Sequence, residues 1–67
     1  MTKKEKLLID GCKILNIRLE VTLIVMACCR SDKQQGVMLD WMKKHYQEKP
    51  TEEEVLEIAE TIREKVQ

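Results

Sequence analysis

Between Asn16 and Ser31 the chain reads IRLEVTLIVMACCR, residues 17–30, and two secondary structures compete for it. Ile17, Leu19, Val21 and Leu23 alternate with Arg18, Glu20 and Thr22, the period-2 pattern of a half-buried strand. From Leu23 to Cys29, however, every residue is apolar, as in a helix that runs through the middle of a bundle. A lone strand leaves its backbone N–H and C=O groups unpaired, so the strand reading requires a partner strand from a second chain. No other segment alternates in this way. The expected structure is therefore a helix over 19–30, and the fold it implies is all-α.

The flanking sequence agrees with that choice. Thr2 with Glu5, Ser31 with Gln34 and Thr51 with Glu54 are three capping boxes, in which a hydroxyl accepts from a backbone N–H three residues on while that residue's side chain reaches back. They open expected helices at 2–15, 32–48 and 52–66. In the first, Leu7, Leu8, Ile9, Cys12, Ile14 and Leu15 share one broad side, with Gly11 near its middle. Glycine costs about 1 kcal/mol relative to alanine in a helix, so its place there is either a tolerated weakness or, the reading favoured here, a point of close approach for a neighbouring helix. Asn16 suits a left-handed helix stop, with Ile17 folding back over the last turn. In the third, Val37, Met38, Leu39, Trp41, Met42, His45 and Tyr46 cover an arc of roughly 200°. In the fourth, Val55, Ile58, Ala59, Ile62 and Val66 recur at helical spacing, with Glu52–Glu54 in the first turn and Arg63 and Lys65 in the last, where the helix dipole favours each sign.

Sixty-seven residues hold one domain, 1–67, and four helices leave almost no chain for loops. A domain of this length buries only about 60% of the surface of its unfolded chain, and there is no room for a cofactor-binding α/β unit. With one Pro and two Gly the chain is poor in the turns an all-β fold needs. Without Phe, the core must be Leu, Ile, Val and Met. The longest apolar run, 21–29 with Thr22 inside it, is about half of the ~20 residues a membrane helix takes. Cys12, Cys28 and Cys29 form no disulfide framework, which with the lack of a signal-peptide pattern leads us to expect a cytoplasmic protein. Twelve basic and twelve acidic residues cancel, but residues 1–49 carry ten basic and six acidic side chains (+4) while 50–67 carry two and six (−4). Overall neutrality argues against nucleic-acid binding by bulk electrostatics.

Few residues point to chemistry. Cys28, Cys29 and His45 are zinc-ligand types, but adjacent cysteines point to different sides of a helix and the C-x₂₋₄-C or H-x₃₋₅-H spacing is absent. They read as small buried thiols and a semi-buried imidazole. A Cys–His nucleophile lacks an orienting third group, and no phosphate loop, nucleophile elbow or paired-carboxylate site is present. We expect no enzyme, metal, cofactor or small-molecule substrate. If 17–23 were a strand, its order before two helices would resemble the ribbon-helix-helix dimers. That resemblance implies a small dimeric DNA-binding regulator with Arg18, Glu20 and Thr22 as readers of the groove. The chain departs from the pattern by a helix before the ribbon and the apolar run 24–29 after it.

What remains is association. The first and third helices have apolar sides wider than the ~100° stripe of a surface helix, and large uncovered apolar patches mark partner sites. The reading is a compact bundle of about four short helices, a non-enzymatic interaction module that pairs with itself or another protein through an apolar helix face. The candidate contact residues are Met38, Trp41, Met42 and Tyr46, with Leu19 and Leu23 behind them. The methionines supply adaptable surface, and Trp and Tyr are favoured interface anchors.

Overall fold

Local hydrogen bonds at the helix ends delimit the fold. In a computed structural model that describes all residues, 1–67, four α-helices run over Lys3–Ile14 (α1), Leu19–Cys28 (α2), Asp32–His45 (α3) and Glu52–Lys65 (α4). A 3-10 turn, Tyr46–Glu48, follows α3. All three capping boxes form: Thr2, Ser31 and Thr51 each accept from the backbone N–H three residues on, and the side chains of Glu5, Gln34 and Glu54 return the bond. The stop after α1 is also the one the sequence indicates. Asn16 is left-handed (φ 60°), its N–H bonds to Lys13 O at 3.0 Å, and the N–H of Ile17 reaches back to Cys12 O at 2.9 Å. This is the Schellman arrangement, and it folds the Ile17 side chain over the core, where it is buried.

Residues 17–23 form no strand: α2 begins at Leu19, which removes the structural premise of the ribbon-helix-helix resemblance. Two helices end two or more residues earlier than the sequence suggests. α2 stops at Cys28 rather than 30, and α3 gives way to the 3-10 turn at Tyr46 rather than continuing to 48. Proline disfavours the α region for the residue before it, so no helix continues through Lys49. Lys49 instead takes a left-handed conformation (φ 52°), and its N–H bonds back to Tyr46 O at 3.2 Å, closing the 3-10 turn.

The main junctions join helices that are not consecutive. α2 packs chiefly on α4 and α1 on α3, with lesser contacts of α3 on α4 and α1 on α2, while α2 and α3 do not pack on each other. The core at the centre is Leu8 and Cys12 from α1, Val21, Val25 and Cys28 from α2, Cys29 after it, Met38 and Met42 from α3, and Val55, Ala59 and Ile62 from α4, closed by Ile17. The α1–α3 junction is close because Gly11 has no side chain: a Cβ there would lie 2.8 Å from Met42 Sδ.

Polar ties hold the ends together. Gln35 is buried and donates from Nε2 to Cys29 O at 3.1 Å, and Gln34 Nε2 donates to Val66 O at 2.8 Å. α2 has no cap of its own; the backbone N–H of its N-cap, Arg18, donates instead to Glu52 Oε2 at 2.7 Å, and the Arg18 guanidinium meets Glu52 Oε1 at 3.0 Å. A carboxylate at the start of α4 thus also caps α2.

An apolar groove and an apolar ridge

The six candidate contact residues fall in four different places. Met38 is fully buried and Met42 nearly so; both belong to the core, so neither stands free on the surface as the sequence reading had them. Trp41 is half-buried and faces the cleft between α3 and α4, its ring 4.9 Å from that of His45. Tyr46 is 49% exposed and lies on the opposite side, over α1. Leu19 and Leu23, 69% and 61% exposed, stand on the outer face of α2 with Ile24 beside them. The bundle-centre helix of the sequence reading is therefore covered on one side only. Val21, Thr22, Val25 and Cys28 face inward, Met26 packs half-buried against the core, and Leu19, Leu23 and Ile24 meet solvent.

Between α1 and α3 runs a groove of about 310 Å³. One wall is Leu7 and Ile14, the other Leu39 and Tyr46, and Gly11 and Met42 form the floor. Asp10 and Lys43 are its only charged lining residues. The groove exists because Gly11 lacks a side chain, so the feature that brings the helices together also leaves a trough above their junction. A second hollow of about 350 Å³ shares Ile14 and Tyr46 with it and continues past Asn16, Gln47 and Lys49 to Pro50. Leu7, Ile14 and Leu39 were legible as apolar residues, and Leu7, Gly11 and Ile14 recur at a spacing that lines one helix face. Assigning that face to the core hid the groove.

The α3–α4 cleft, also about 310 Å³, is chemically different. It is lined by Trp41, His45, Glu48, Pro50, Glu54, Glu57 and Ile58. His45 Nδ1 and Glu48 Oε1 are 2.9 Å apart, and Glu54 is occupied in the Thr51 capping box.

Cys12, Cys28 and Cys29 are all reduced and buried. Burial pushes the Cys29 thiol up from its ordinary 9.0 to about 11, with Cys28 and Cys12 nearby adding to the shift. Burial raises Cys12 as well, partly offset by a hydrogen bond with the Thr22 side chain. At neutral pH Cys12 and Cys29 are thus held protonated and poorly nucleophilic. No group of three or more His, Cys, Asp or Glu side chains is placed to hold a metal ion, and no helix is long and apolar enough to cross a membrane.

The chain matches no protein-family model, no curated protein and no solved structure.

Proposed function

We propose that this protein is a non-enzymatic interaction module that associates with a second protein chain, in the first place with itself, through the apolar groove between α1 and α3. The observation that carries the reading is the groove's composition. Leu7, Ile14, Leu39 and Met42 present an almost purely apolar trough with Tyr46 at one end, on a chain too small to waste such surface. An apolar trough between two helices is the form that receives an amphipathic helix, with anchors at i, i+3 or i+4 and i+7. Tyr46 brings the amphipathic ring favoured at interfaces.

The surface area supports the same reading. A compact monomer of 7.9 kDa is expected to expose about 4,400 Å², whereas this chain exposes 4835 Å². Several exposed large side chains, among them Ile14 at 71%, account for surface that burial in a partner would remove.

Light scattering on the purified protein tests the proposal. The expected mass is twice that of the chain, falling to that of one chain on dilution. Leu7→Glu, which places a charge in the groove wall at an exposed helical position, is expected to give a folded monomer by circular dichroism. A wild-type protein that stays monomeric at every concentration would overturn the self-association reading.

A further inference from the structure

Trp41 is the only tryptophan of the chain, and it is neither sealed in the core nor free on the surface. It packs half-buried against the core and lines the cleft between α3 and α4, its ring 4.9 Å from that of His45 and tilted 30° to it. Pro50 and Ile58 complete the apolar part of the lining. We propose that this cleft binds an arginine side chain from a basic segment of a partner protein, the guanidinium lying against Trp41 and donating to the carboxylates of Glu48, Glu54 and Glu57. The cleft shares no lining residue with the α1–α3 groove, so its occupancy does not depend on self-association.

The lining is negative whatever the protonation state of His45. Glu48, Glu54 and Glu57 line the cleft, His45 is the one basic side chain among them, and there is no Lys or Arg. His45 Nδ1 lies 2.9 Å from Glu48 Oε1, and Glu54 Oε1 accepts from the backbone N–H and the hydroxyl of Thr51. None of the three carboxylates forms an ion pair with a Lys or Arg of the chain. Lys44 and Lys49, adjacent in sequence to lining residues, are exposed, do not line the cleft and take part in no ion pair; Lys49 lines the neighbouring hollow instead. Glu57 also belongs to a row of exposed acids on α4, with Glu53, Glu60 and Glu64, whose spacing sets them on one helix face. A segment with several positive charges compensates that row, which a lone small cation does not.

The mixture of an aromatic face with carboxylates selects among cations. No three of the ligand-type side chains are placed to hold a metal ion. An ammonium is a compact, strongly hydrated point charge, whereas a guanidinium is planar, more weakly hydrated, stacks on aromatic faces and carries five N–H donors in a fixed fork. It uses both halves of the lining at once: the flat side of Trp41, and carboxylates that arrive from two directions, Glu48 after α3 and Glu54 and Glu57 on α4. The volume, about 310 Å³, lies at the lower end of the range for ligand pockets, about 300–1,000 Å³, and suits one side chain.

Because Trp41 is the sole tryptophan, fluorescence of the intact protein reads the cleft directly. Tetra-arginine is expected to change the emission saturably, tetra-lysine to bind about two- to fivefold more weakly, and uncharged tetra-citrulline not to bind. In about 1 M salt, where the screening length is about 3 Å, the tetra-arginine response should be largely lost. Glu57→Gln, at an exposed position, should weaken tetra-arginine binding about two- to fivefold with an unchanged circular dichroism spectrum. Glu20→Gln, which removes the same charge from exposed surface of α2, should leave binding unchanged. Trp41→Leu, followed by calorimetry, should weaken tetra-arginine about fivefold and remove its advantage over tetra-lysine; if that variant does not fold, Glu57→Gln and the comparison of the two peptides still decide. An emission that tetra-arginine leaves unaltered would exclude the cleft as its site. Tetra-lysine binding as tightly as tetra-arginine would overturn guanidinium recognition, and equal losses in Glu57→Gln and Glu20→Gln would show that net charge, not the cleft, attracts the peptide.

Discussion

Gly11 is where packing and surface shape meet. Replacing it with alanine gains about 1 kcal/mol of helix propensity but places a methyl group 2.8 Å from Met42 Sδ, an overlap of the kind that costs about 1–3 kcal/mol in a rigid core. Met42 is flexible, and the groove above it gives its sulfur somewhere to go. Gly11→Ala is therefore expected to change stability by less than about 1 kcal/mol in a denaturant titration, while raising the groove floor and weakening self-association in light scattering. Cys29 makes a different contribution. Its thiol is raised in the folded state, so the folded chain holds that proton more tightly than the unfolded one. The stability this brings is complete below pH 9 and is lost as pH rises toward the folded value of about 11. The denaturation midpoint should fall across that interval, and Cys29→Ala should fall less steeply from a lower starting value. An equal slope in the two proteins would show that other groups cause the alkaline loss.

Among the helices, α2 depends most on its neighbours, because its N-terminal cap is the carboxylate of Glu52 from α4. Glu52→Gln keeps the size and one acceptor but loses the charge that faces Arg18 and the helix dipole. With Arg18 67% exposed, the expected cost is about 1 kcal/mol, against a similar cost for the local cap mutant Thr51→Ala; urea midpoints of the two variants compare them directly. These caps also mark what the sequence could reveal. Thr2, Ser31, Thr51 and Asn16 act on residues within four positions along the chain, so their roles are written in short motifs. The Glu52–Arg18 bond spans 34 positions, and no local pattern encodes it. The orientation of α2 was equally illegible: a helix apolar on every side gives no direction, and only the fold shows that Val21 and Val25 face inward while Leu19 and Leu23 do not. The wide arc on α3 hid its division in the same way, with Met38 in the core, Trp41 toward α4 and Tyr46 toward α1.

Taken as a molecule, the chain has a body of charge +4 and a final helix with its following and preceding residues of −4, tied across by the Arg18–Glu52 pair. Most acids of α4, including Glu53, Glu57, Glu60 and Glu64, are exposed, and no residue of α4 lines the apolar groove between α1 and α3. The helix pairing makes α4 indispensable to the rest. Without it Val21, Val25 and Cys28 lose the surface against which α2 chiefly packs. A peptide of residues 1–50 is expected to show little cooperative melting by circular dichroism; a sharp transition would mean that α1 and α3 form an independent unit. The same pairing governs the order of events during folding. Because α1 waits for α3 and α2 for α4, neither main junction is a hairpin of consecutive helices, and the loops to be closed are long for so short a chain. Closing them costs entropy before any core contact repays it, which should make this bundle fold more slowly than an up-and-down bundle of equal length, with the inward-facing side of α2 open to solvent until the last helix arrives.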